Sequence, residues 1–330
     1  MLAAGCQVIP KTTAPAAPPP APTPEPSATA LPTDSGRHRI ALLVPMGGDT
    51  AAVGQAIANA TTMALLDTSA DNLRITTYDT SAGVSAAARK AIADGNKLIL
   101  GPLMANGVPA VQAVARPAGV PVISFSNDTS VAGPDVFVIG HVPEQSVRRS
   151  VQYARARGSN RFAALLPEGD YGNRAASALD NALRDFGGAL AARETYARGN
   201  TSIVSAAQRL RAAGGYDTVL IADSARLAIQ ATDELQREES ERARILGTEL
   251  WSGEATLGYD AVLLTLRVAR DWKVGTPFPK GELYDRGGFL GVDGAFRFGR
   301  NGVIERALEV REVRSGEVVA VDAAPTGFTR

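Results

Sequence analysis

From residue 38 onward, short runs rich in Ile, Leu, Val and Ala alternate with longer stretches in which apolar residues recur every three or four positions. The short runs read as buried strands and the longer ones as amphipathic helices, the rhythm of a parallel sheet wound with crossover helices. Strands are predicted over 40–44, 73–78, 97–100, 120–124 and 136–139, with helices over 50–69, 84–93 and 105–115 between them. In the turn after the first strand, Gly47 and Gly48 precede Asp49, which reads as the cap of the first helix. Gly95 ends the second helix.

The cycle restarts at Pro143 and Glu144, where a fixed φ and a negative charge suit a helix N-terminus. Strands over 162–166, 189–196, 218–221 and 244–246 alternate with a helix carrying Leu179, Leu183 and Phe186 on one face and with helices over 203–213 and 225–235. Gly187 and Gly188 stop the first of these. A helix over 259–271 follows, then a tail whose apolar positions alternate through Ile304, Ala307 or Leu308, Val310 and Val313 and turn at Ser315-Gly316 into a strand over 318–321. The predicted architecture is α/β with two lobes, each a doubly wound, mostly parallel sheet. No repeat of 20–50 residues marks a solenoid.

The first 36 residues break this pattern: nine of the 20 prolines fall between Pro10 and Pro32 among Ala, Thr and Ser, so this stretch reads as a disordered, extended tether. Composition then narrows the chemistry. The chain has 330 residues, and its 34 Lys+Arg balance 34 Asp+Glu, which leaves no basic field for nucleic acid. With one Cys and two His it cannot build a Cys/His zinc site, an intrachain disulfide or an iron–sulfur cluster, and no cofactor is expected.

Individual motifs add little catalysis. The Gly47-Gly48 turn lacks G-x-G-x-x-G spacing, and neither a P-loop nor a G-x-S-x-G elbow occurs. A hydrolase triad would depend on His141, which reads as a loop residue ahead of a helix, because His38 stands at the edge of the tether. Asp170, Asp180 and Asp185 form a solvated helix face, and the run 237–241 reads as an exposed helix end. The chain is expected not to be an enzyme.

Cys6 follows Leu2-Ala3-Ala4-Gly5, which resembles a bacterial lipobox, so lipidation at Cys6 is expected, with a start codon further upstream. Gln7 in place of Asp after the cysteine resembles sorting to the outer membrane. Taken together, the 41–45 run with its glycine turn, Gly101-Pro102, Pro121-Val122-Ile123-Ser124, Asp170-Tyr171-Gly172 and Leu257-Gly258-Tyr259-Asp260 resemble the type I periplasmic binding fold of leucine-binding proteins. Residues 292–298 with Asn301-Gly302 resemble that family's closing hairpin.

The resemblance implies an N-terminal lobe of 37–142 plus about 255–300 and a C-terminal lobe of 143–254 plus about 301–330, behind a lipobox at 1–6 and a linker over 7–36. It places a ligand cleft at strand ends. The first lobe would offer Gly101, Pro102, Met104, Ala105 and Asn106, then Ser124, Ser126 and Asn127; the second would offer Tyr171, Asp223 and Ser224. Amino-acid receptors of this fold carry hydroxyls after the Gly-Pro turn, where Met104 and Ala105 stand here.

Residues 101–108 and the Val142-Pro143-Glu144-Gln145 stretch instead resemble penicillin-binding-protein activator lipoproteins. That implies a non-catalytic protein on a lipid tether, on the periplasmic face of the outer membrane, touching a bifunctional peptidoglycan synthase. The alternative is the solute-binding component of an ABC importer, with a permease and a small amino-acid-like ligand as partners. Only residues 252–257 separate Trp251 from Gly258, where the family has several tens more, so a strand and a helix of the second lobe are expected to be missing.

Overall fold

A computed structural model describes residues 36–198, 202–237, 243–251 and 255–328. Cys6, the linker as far as Ser35, and 238–241 of the charged run lie outside these residues.

The first sheet grows from β1 (His38–Val44), followed by α1 (Ala51–Asp67), β2 (Leu73–Asp79), α2 (Val84–Ala93), β3 (Leu98–Leu100), α3 (Val108–Ala115), β4 (Val122–Ser124) and β5 (Val136–Val138). All five strands are parallel, in the order β2-β1-β3-β4-β5. β1 has neighbours on both sides and helices on both faces, hence its unbroken apolar run. Ile40, Leu42 and Val44 enter one core while Ala41 and Leu43 enter the other, the period of two that a strand imposes.

The second sheet is built in the same way from α4 (Pro143–Ala156), β6 (Arg161–Pro167), α5 (Asp170–Phe186), β7 (Ala189–Tyr196), α6 (Ser202–Ala213), β8 (Thr218–Ile221), α7 (Ala225–Leu235) and β9 (Arg244–Gly247). Phe162, Ala164 and Leu166 face one core, Ala163 and Leu165 the other. The chain then returns to the first lobe through α8 (Ala255–Ala269), β10 (Phe289–Gly291), β11 (Gly294–Phe298) and β12 (Ile304–Arg306). It crosses once more into the hairpin β13 (Val310–Arg314) and β14 (Glu317–Asp322), giving a second sheet ordered β14-β13-β9-β8-β6-β7. The chain crosses between lobes at 139–142, between Gly247 and Ala255, and at 307–309.

Several local expectations need correction. Asp49 is exposed and does not cap α1, whose N-cap is Thr50 without a side-chain bond. The turn is held by Asp79, whose Oδ1 accepts the amides of Met46 (2.9 Å) and Ser81 (2.8 Å). The helix expected over 105–115 is a 3-10 turn over Ala105–Gly107 followed by α3, because Pro109 has no amide to donate and suits only a first turn. Helix α8 begins at Ala255, not Tyr259. Gly258 lies inside the helix where α8 crosses α1: a Cβ there would sit 2.4 Å from the Ile57 carbonyl oxygen.

His38 is a strand residue, buried and stacked on Trp272 at 3.9 Å, and burial pushes its imidazole below the usual histidine range. Only a 3-10 turn, Glu249–Trp251, is described between β9 and α8, and β13 lies antiparallel beside β9 through the Glu312–Leu246 pair. The tail hairpin therefore covers the edge of β9.

Candidate functional site

The loops that leave the carboxyl ends of β1, β2, β3 and β4 form one wall of the cleft. A recess of about 500 Å³ opens there, with Pro45, Val84, Pro102, Leu103 and Met104 supplying apolar surface and Ser81 and Asn106 polar edges. Met104 is half exposed and Asn106 exposed, while Gly101 and Pro102 are buried beneath them. Gly101 is required by geometry: its φ is +106°, and a Cβ would lie 2.2 Å from the Leu43 carbonyl oxygen.

Ser124 and Ser126 are both buried and brace the next loop. Ser124 Oγ donates to the Pro102 carbonyl at 2.9 Å and accepts the Ser126 amide at 3.1 Å. Ser126 Oγ in turn accepts the Asp128 amide at 3.0 Å. Asn127 faces the second lobe, where Arg174 of α5 bonds both its carbonyl oxygen and its Oδ1.

On the second wall, Tyr171 is buried at the start of α5, its hydroxyl 3.0 Å from Thr248 Oγ1 and donating to Glu249 Oε1 at 2.8 Å. Burial, reinforced by the Glu249 carboxylate, raises the phenol well above its ordinary value. Glu249 also takes the Ser146 hydroxyl, and burial pushes its carboxyl up against the opposing pull of those donors and of His141. Asp223 accepts from Tyr196 Oη (2.8 Å), Arg198 Nε (3.0 Å) and the Ser224 amide (2.7 Å). Ser224 itself is the N-cap of α7 and makes no side-chain capping bond.

Sequence reasoning missed three positions. Arg174 and Arg198 reach the cleft from the second lobe, and only the fold places their long side chains. Glu249, in the 3-10 turn after β9, is a buried carboxylate. His141 stands in the loop ahead of α4, where it is buried with its Nε2 3.4 Å from Asp293 Oδ2, near the crossings.

Two sheets with loops facing one another, crossed three times, define a bilobal binding architecture. The family described as periplasmic binding protein matches residues 38–275. The chain belongs to the periplasmic binding protein family. An uncharacterized protein of Rickettsia prowazekii (strain Madrid E) is 32% identical over 159 residues, which are 48% of this chain and 43% of that protein, so the match spans less than half of the relative.

Among solved structures, a leucine binding protein from Thermotoga maritima MSB8 superposes with a TM-score of 0.61 at 19% identity, covering 86% of this chain and 97% of the other. A putative branched-chain amino acid ABC transporter protein from Rhodospirillum rubrum gives 0.68 at 17%, covering 86% and 100%. A solute binding protein of an ABC transporter from R. palustris, in complex with 4-hydroxybenzoate, gives 0.66 at 14%, covering 88% and 97%. At these identities the likeness is one of fold. This periplasmic binding protein has the type I fold of the leucine-binding-protein-like structures.

Among the described residues, no cluster of three or more His, Cys, Asp or Glu side chains suits a metal ion, and no helix is long and apolar enough to cross a membrane.

Proposed function

We propose that this periplasmic binding protein acts without catalysis, through contact with another envelope protein, as an activator of a bifunctional penicillin-binding protein in peptidoglycan synthesis. The observation that carries the reading is the state of the cleft: Ser124, Ser126, Asn127, Tyr171 and Asp223 are all bonded to other protein groups. A small amino acid gains less from groups that already hold protein partners. In this reading Cys6 carries the lipid, the proline-rich stretch spans part of the periplasm from the outer membrane, and the lobes present the contact surface. Activation requires the lobes to bind the synthase's active state more tightly than its inactive one.

The second reading is a solute-binding component of an ABC importer, with a permease and a small ligand held near 101–106. The structural neighbours favour this reading over the first, since those described above are ABC-transporter or leucine-binding proteins. The apolar recess at Met104 and Val84 suits the body of such a ligand better than its charged ends.

One pair of measurements separates the two. The full-length lipoprotein and its Cys6→Ser variant are added to detergent-solubilised bifunctional penicillin-binding proteins of the same organism while glycan polymerisation and crosslinking are followed; leucine and 4-hydroxybenzoate are titrated calorimetrically. Faster synthesis with no heat of binding supports the activator reading. Tight solute binding with unchanged synthesis overturns it in favour of the importer.

A further inference from the structure

Asn127 and Arg174 belong to different lobes. Asn127 lies in the loop leaving β4 of the first sheet, and Arg174 stands in α5 behind β6 of the second. The guanidinium donates through Nη2 to Asn127 Oδ1 at 2.7 Å and through Nη1 to the Asn127 backbone oxygen. Both acceptors belong to one residue, the two-point geometry for which a planar guanidinium fork is pre-organised.

The acceptor side is rigid. Ser124 and Ser126 hold the loop from below, and Asp128 Oδ1 accepts the Ser130 amide at 2.9 Å on its far side. The donor side is fixed within α5, where a Cβ on the neighbouring Gly172 would lie 1.7 Å from the Pro167 carbonyl oxygen, so the helix sits directly on the end of β6. Near the crossings a second bond pair ties the lobes: Gln145 of α4 accepts the Arg306 amide at 2.9 Å and donates to the Ile304 carbonyl at 2.5 Å. The lobes are thus joined both near their crossings and across the cleft.

We propose that Arg174 is a built-in latch, occupying Asn127 and holding the two lobes together without any solute. Whatever reaches Asn127, a solute or a partner's side chain, has to displace the guanidinium first. The latch rests on the lobe geometry and not on the choice between synthase and importer, so either can fail without the other.

The test is the lobe-to-lobe distance in the full chain. Spin labels are placed on the exposed positions Ala118→Cys in the first lobe and Ser177→Cys in the second, in a Cys6→Ser background, and read by pulsed electron resonance. The parent is expected to give one narrow distance. Arg174→Ala raises the population at longer distances roughly tenfold, the effect expected for losing a paired charge-assisted contact. Asn127→Ala keeps the backbone acceptor and gives an intermediate shift. Because Arg174 is only partly buried, its replacement leaves the cores intact, which unchanged melting of either lobe would document. Identical distance distributions in parent and Arg174→Ala, or a parent already spread over long distances, overturn the latch.

Discussion

Removing the cation from the buried Asp260–Arg306 pair is the sharpest probe of how the crossing strands are held. Arg306 Nη1 donates to Asp260 Oδ2 at 2.6 Å, and the two side chains are 2% and 0% exposed. Asp260 lies in α8 and Arg306 ends β12, one residue before the third crossing, with the Arg306 amide already bound to Gln145 of the other lobe.

Arg306→Leu leaves Asp260 charged and buried. Breaking such a pair costs about 3–5 kcal/mol. The Val292 amide, which donates to Asp260 Oδ1 at 2.7 Å, survives the substitution and places the loss near the lower end, about 3 kcal/mol. The double variant Asp260→Asn/Arg306→Leu keeps an acceptor for Val292 but buries no charge, so it regains most of that loss, a coupling of about 2 kcal/mol. Acid acts in the same direction. Burial already holds the Asp260 carboxyl above its ordinary value despite Arg306, and without Arg306 it rises further. An acid raised in the folded state costs stability above its folded value and regains it as the pH falls towards the unfolded one. The deficit of Arg306→Leu therefore shrinks on acidification. Urea midpoints and slopes of the parent, both single variants and the double variant, compared at neutral and mildly acidic pH, check this. A loss under about 1 kcal/mol, or a double variant no more stable than Arg306→Leu, would mean that the buried pair does not hold the third crossing.

Two further predictions concern the same framework. Gly172→Ala forces a methyl to within 1.7 Å of the Pro167 carbonyl oxygen and should destabilise the second lobe by about 1–3 kcal/mol or more, read from the urea midpoint; Gly83→Ala, whose Cβ meets nothing within 4 Å but whose φ is +138°, separates backbone strain from collision. Glu249→Gln keeps an acceptor for Tyr171 while removing a carboxyl that burial holds above its ordinary value, so the variant should lose the fall in stability that the parent shows as pH rises from the unfolded glutamate value through the higher folded one, measured as urea midpoint against pH.

Much of this architecture was legible in the residues because it rests on local periodicity. α2, β7, β8 and α7 have the bounds predicted for them; α2 and α7 each bury one face, while β8 is an unbroken buried run covered on both faces. The hairpin turn at Ser315-Gly316 was readable for a similar reason: both residues take positive φ, 50° and 77°, as a tight turn between twisted strands requires. The start of α8 was misplaced, at Tyr259 in place of Ala255, because Gly258 inside it serves the close approach to α1, which no pattern along the chain distinguishes from a helix boundary.

The candidate site divides in the same way. The family resemblance put a candidate cleft at strand ends and named Gly101, Pro102, Met104, Asn106 and Tyr171 for it, and the structure sets these residues in the loop after β3 and at the start of α5. Tertiary structure alone decided what those groups do. Ser124 and Ser126 are turned into braces by the Pro102 carbonyl and the Asp128 amide, Tyr171 is enclosed with Glu249, and Asn127 meets Arg174 across 47 positions of sequence. Periodicity specifies which face of an element is buried, because that depends on the element's own neighbours in the chain. Which donor meets which acceptor depends on how two lobes crossed three times are set against each other, and no local pattern encodes that.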